Sequence, residues 1–113
     1  YNCAQSLLVP FGPQFGLDKE QADKLGSLFG SGMLHGSACG ALSATLMLLG
    51  LAGYDSQTAR QIIQDFRQRH QDTHCTALLT LAKEQGVPRK EHCDGLVLEM
   101  AQLLEEMLAK KGE

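Results

Sequence analysis

The chain lacks an excess of basic residues. Ten Lys and Arg against thirteen Asp and Glu give a net charge of −3 over 113 residues, with a pI near 5.8. That balance argues against nucleic acid as a partner, because its phosphates call for a net basic face. There is no hydrophobic run of the ~20 residues needed to cross a bilayer, so no transmembrane segment is expected. Tryptophan is absent and only 5% of residues are aromatic. No segment alternates cleanly with period two, which removes strands from the expected architecture. The C-x-x-C pair of a zinc ribbon or thioredoxin-like site is missing. No Ser-His-Asp or Cys-His-Asn grouping can be assembled, leaving hydrolase chemistry without support. The initiator Met is also absent. The cytoplasm is the expected compartment; a trimmed start at Tyr1 is compatible with a cleaved export signal, which makes the periplasm the alternative.

What is present suffices for a single helical domain over residues 1–113. Hydrophobic residues make up 43% of the chain and charged residues 20%. Leu96, Val97, Met100, Leu103, Leu104, Met107 and Leu108 recur at helical spacing, with Glu99, Gln102, Glu105 and Glu106 on a solvated face and Lys110 and Lys111 near the negative helix end. Ala59, Ile62, Ile63 and Phe66 mark a second amphipathic helix capped by Asp55 or Ser56. Weaker signals place helices over 2–9, where Pro10 should kink or end the first, over 18–30 behind an Asp18–Gln21 capping box, and over 74–85 before Gly86. Residues 38–52 are apolar on all sides. The pattern predicts an all-α fold of about five to six helices around that central apolar helix.

Four cysteines stand out on this map. Cys3 follows Asn2, Cys39 lies just after Ser37, Cys75 just after Asp72 and Thr73, and Cys93 a few residues after Pro88. Each is therefore expected in or near the first turn of a helix, where unpaired N–H groups and the macrodipole stabilise a thiolate. A small buried thiol used only for packing is the competing reading. Even spacing of Cys3, Cys39 and Cys75 hints at a repeat, but the segments between them share few other identities.

Glycine is the second signal, with Gly26, Gly30, Gly32, Gly36 and Gly40 crowded into one stretch. FGSGMLHGSACG has neither the Lys-Ser/Thr of a phosphate loop nor the dinucleotide spacing. A loop that approaches sulfur closely, or adopts positive φ, explains it as well as tight helix packing does. Gly32, Gly36 and Gly40, with His35 on the same loop, are the candidates for residues around a thiol or cofactor site. His74 and His92 adjoin cysteines but point about 100° away from them on a helix, and are expected to be mostly solvated. Met33, Met47, Met100 and Met107 are expected in the core.

YNCAQSLL at the start, FGSGM, and CGALSATLMLLG together resemble the C_GCAxxG_C_C family of redox-active proteins, with Cys75 and Cys93 completing its four cysteines. The likeness spans nearly the whole chain. Cys3 would be the first family cysteine, Cys39 the second, Cys75 the third and Cys93 the fourth. Ala44 stands where the motif ends in Gly, and Ala38 where Gly is common before the second cysteine. The resemblance implies an all-helical redox protein, often with a bound metal or iron–sulfur centre.

The function expected on these grounds is redox chemistry at Cys3, Cys39, Cys75 and Cys93. Two forms stay open. In one, the four thiolates hold zinc or an iron–sulfur cluster. In the other, they form dithiol/disulfide pairs. Either form fits a thiol- or metal-dependent oxidoreductase or an electron-transfer accessory protein, working with a redox partner protein or a transporter or oxidoreductase system. The alternative is a helical interaction module whose cysteines are buried thiols or stabilising disulfides.

Overall fold

The computed structural model describes residues 1–111. The architecture is all-α: α1 (Cys3–Phe11), α2 (Lys19–Gly26), α3 (Gly40–Leu51), α4 (Ser56–His70), α5 (Cys75–Glu84) and α6 (Arg89–Lys111), with a short 3₁₀ turn over Gly12–Phe15. The chain beyond Lys111, and with it the end of the expected 1–113 domain, lies outside the described residues. No described helix is long and apolar enough to cross a membrane.

Local chemistry starts each helix. Asn2 caps α1 by accepting the Gln5 N–H at 2.8 Å, while Gln5 Oε1 accepts the Asn2 N–H at 2.9 Å. The same reciprocal pair joins Asp18 and Gln21 ahead of α2, as the capping-box spacing predicts. Asp55 caps α4 by accepting the Thr58 N–H. Gly86, at φ 76°, ends the turn after α5, and α6 begins directly after Pro88. Two expected boundaries move. α1 runs through Pro10 to Phe11, because the proline falls in the last turn with its ring exposed and the Gly12 N–H still reaches the Leu8 carbonyl. α2 stops at Gly26, short of residue 30, since Asn2 Nδ2 takes up the Gly26 carbonyl at 2.8 Å.

α3 is central, as its unbroken apolar character predicts, but it shares that position with α1. α1 packs on α2, α3 and α6, and α3 packs on α1, α4 and α6. Ala4, Leu7 and Leu8 of α1 are as fully buried as Ala41, Ala44 and Leu48 of α3. The methyl of Ala44, in the place of the family glycine, is thus part of the core. Thr45 is buried beside it and satisfies its hydroxyl on the Ala41 carbonyl at 2.7 Å. α6 contributes Leu96, Met100 and Leu104, and α4 contributes Ile62 and Phe66. The Tyr54 hydroxyl donates to the Met107 carbonyl at 2.6 Å and ties the α3–α4 connection to the far end of α6.

Some sequence expectations about burial fail for tertiary reasons. Met33 is exposed because the chain at Ser31, Met33 and Leu34 takes left-handed backbone angles and turns those side chains outward. Glu99 is half-buried: its carboxylate lies 2.7 Å from His70 Nε2 and 3.5 Å from Arg69, both on α4.

Burial ranks the cost of truncation. Leu8→Ala, at a site with no exposed surface, is expected to lower the unfolding free energy by about 2–5 kcal/mol. Leu51→Ala, at the 55% exposed end of α3, is expected to change it by no more than about 0.5 kcal/mol. Chemical denaturation of the reduced protein measures both.

Candidate functional site

The glycine-rich loop is what joins the helix starts. Ser37, Ala38 and Cys39 run antiparallel to Thr73, His74 and Cys75, with Ala38 facing His74. The Cys39 N–H donates to the Thr73 carbonyl at 2.9 Å, and the Cys75 N–H donates to the Ser37 carbonyl at 2.6 Å. Two cysteines far apart in sequence are thereby set side by side. Ala38 sits on this extended pair. Upstream, Gly32 turns at φ 61° with its backbone against α5: a Cβ here would stand 2.5 Å from the Ser37 carbonyl and 2.6 Å from Cys75 Cβ. Gly40 lets the start of α3 approach the start of α1, where a Cβ would lie 3.0 Å from the Phe29 carbonyl and 3.3 Å from Cys3 Cβ. Both readings of the glycines are realised at once, positive φ at Gly32 and close helix packing at Gly40.

The starts of α1, α3, α5 and α6 therefore border one cleft of about 490 Å³, and all four cysteines line it. Cys3 and Cys75 are the first residues of α1 and α5, while Cys39 is itself the cap residue of α3. Neither Ser37 nor Thr73 serves as the cap, because both are committed to the extended pair. Cys93 departs from the expected placement: it is the fifth residue of α6, past the first turn. It reaches the cleft from the side of that helix. Gly32 and Gly40 also line the cleft; Gly36 and His35 do not. Gly36 packs against Thr76, and His35 is exposed.

His92 is the residue the sequence undervalues. It is half-buried on the cleft wall, and its Nε2 is buried with no hydrogen-bond partner. Burial, and secondarily the nearby His70, push its pKa down, in favour of the neutral ring. Nothing local signalled this, since the burial comes from packing α4 and α5 against α6. His74 behaves as expected, an exposed residue whose Nδ1 lies 3.2 Å from Asp72. Asp72 accepts the Thr73 and His74 N–H groups, and these bonds hold its carboxyl below the usual range.

Thiolate stabilisation at the helix starts does not win here. Burial pushes the Cys3 thiol up to about 12, reinforced by Cys93, Cys39 and Cys75. Burial likewise raises Cys39; the Leu42 and Ala41 N–H groups near its sulfur act in the opposite sense but form no capping hydrogen bond. Cys75 is raised by burial and by Cys93, with Arg89 opposing. Desolvation and mutual repulsion thus outweigh the dipole. The thiols are mutually destabilising as anions. All four are free thiols. Among the described residues no three His, Cys, Asp or Glu side chains form a group able to hold a metal ion, so the donor set as arranged does not fit the metal centre that the resemblance implies.

Comparison with known families gives a match to the family described as "Putative redox-active protein (C_GCAxxG_C_C)", over residues 1–107. Comparison with curated proteins and with solved structures gives no match.

Two outcomes follow from this geometry. Because Cys3 titrates near 12 folded against an ordinary 9.0, the folded state holds its proton more tightly. Stability is then unaffected below about pH 9 and falls as pH rises toward 12. A Cys3→Ser variant should show a shallower decline in alkaline denaturant melts. Gly32→Ala is expected to destabilise the protein by at least about 1 kcal/mol, from the left-handed angle and the collision with Ser37 and Cys75. It should also speed alkylation of Cys75, measured by mass spectrometry.

Proposed function

This chain belongs to the C_GCAxxG_C_C family, and from that premise we propose that it is a thiol redox protein working by dithiol–disulfide conversion. One observation carries this reading: four free thiols, Cys3, Cys39 and Cys75 from helix starts and Cys93 from the second turn of α6, line one cleft. Packing alone gives no reason to gather them at an accessible surface.

Cys93 is the shared neighbour. Its side chain lies beside Cys3 and interacts electrostatically with Cys75 and Cys39. Burial and Cys93 leave the Cys75 thiol raised overall, but Arg89 opposes that rise and Cys75 is less buried than Cys39, so Cys75 is assigned as the attacking group. The Cys75 sulfur attacks one sulfur of a disulfide partner, breaking that S–S bond and forming a mixed disulfide. The departing thiolate takes up a proton. Cys93 then loses its proton, attacks the Cys75 sulfur and releases the second partner thiol. Two electrons and two protons leave the protein, and a Cys75–Cys93 disulfide remains. Cys3 can displace Cys75 at Cys93 without net oxidation. Cys39 is buried, and its carbonyl opens α3 by accepting the Ser43 N–H.

The reduced protein, titrated with a thiol reagent before and after treatment with a dithiol oxidant, is expected to lose one pair of thiols reversibly. Cys93→Ser should slow this oxidation at least about tenfold, and Cys39→Ser should leave it nearly unchanged. Stoichiometric iron or zinc after anaerobic purification would instead favour the thiolate metal centre. A full set of thiols after oxidation would favour a structural role for the cysteines.

A further inference from the structure

The cleft holds more than sulfur. Its mouth carries two exposed cations from the first turn of α6, Arg89 and Lys90, against one anion, Asp94. In a chain of net charge −3 this is a local excess of positive charge at the thiols. Arg89 is oriented: its guanidinium donates to Ser31 Oγ at 2.9 Å, across the cleft mouth from the glycine loop. The rest of the wall includes backbone at Gly30 and Gly32, apolar side chains such as Leu79 and Val97, and the polar residues Asn2, Ser6 and His92.

We propose that the cleft takes a low-molecular-weight thiol or disulfide bearing carboxylates, anchored by Arg89 and Lys90 with its sulfur against Cys75. The proposal rests on the redox reading above and names the substrate class of the same site. Several observations favour a small ligand over a protein disulfide. At about 490 Å³ the cleft is within the range of small-molecule sites, roughly 300–1,000 Å³. Its thiols line a concavity instead of projecting from a surface, so a protein's disulfide would have to enter with its flanking backbone. The two cations lie at the rim, where a carboxylate several bonds from sulfur would meet them. Gly32 provides a wall that no side chain narrows. The redox step balances as before: one molecule of small disulfide accepts two electrons and two protons from Cys75 and Cys93 and leaves as two thiols.

A redox-inert probe separates recognition from chemistry. S-methylglutathione carries two carboxylates, and its sulfur cannot exchange. Titrated into the fully reduced protein at low ionic strength and followed by amide NMR, it is expected to bind saturably, with shifts confined to residues of the cleft. Arg89→Gln together with Lys90→Gln should weaken binding at least about threefold, and added salt should weaken it in the unmodified chain. Lys90→Gln alone, at an exposed position without a hydrogen-bond partner to lose, should weaken it less and guards against misfolding of the double variant. Absence of saturable shifts, or equal affinity in the double variant, overturns the proposal. If the reduced protein fails to bind the probe yet exchanges with a protein disulfide such as insulin, the small-ligand proposal fails while the redox reading survives. Saturable binding of the probe by a protein that keeps its full set of thiols after treatment with a dithiol oxidant has the reverse meaning: recognition stands and the redox reading falls.

Discussion

Two backbone hydrogen bonds between residues 37–39 and 73–75 hold together what the helices alone would leave apart. The Cys39 N–H on Thr73 and the Cys75 N–H on Ser37 fix the start of α3 against the start of α5, and the rest of the cleft is arranged around that join. Gly32 has to lack a side chain because its backbone lies against the same strand-like pair. Gly40 has to lack one because α1 reaches α3 at the next residue. Cys3 then stands across from Cys39, and α6 closes the remaining side with Cys93. The helices supply rigidity through their buried faces, but the short extended pair supplies register.

Electrostatics inside this arrangement run against the ordinary reading of a cysteine at a helix start. Orphan N–H groups favour a thiolate by at most a few tenths to about 2 kcal/mol. Burial and three like neighbours oppose it more strongly, and the Cys3 thiol is pushed up to about 12. The consequence is that Cys3, Cys39 and Cys75 are each shifted toward the protonated thiol. Arg89 opposes the rise at Cys75. His92 adds a buried, unpartnered Nε2 to the same wall.

Strain is concentrated in the same region. Ser31, Met33 and Leu34 are non-glycine residues at positive φ, a conformation that costs roughly 1–2 kcal/mol per residue. They flank Gly32 and carry Met33 and Leu34 into solvent. A loop built purely for stability would place glycine at those positions. This one keeps side chains there because the close approach at Gly32 dictates the direction of the chain on either side.

The sequence by itself determined the helical class, the capping box at Asp18, a cap for α4 at Asp55 or Ser56, the stop at Gly86 and the buried stripe of α6. These depend on residues within a few positions of each other, where hydrogen-bonding geometry and a 3.6-residue period act directly. The four cysteines were legible as a set, and so were the glycines beside them. Only the tertiary structure decided that Cys93 enters from the second turn of its helix, that His92 lies in the cleft wall while His35 faces solvent, and that Glu99 pairs with His70. It also decided the sign of the thiol shifts. Each of these depends on what is packed against a residue from distant parts of the chain, and desolvation is a property of that surrounding rather than of the local sequence.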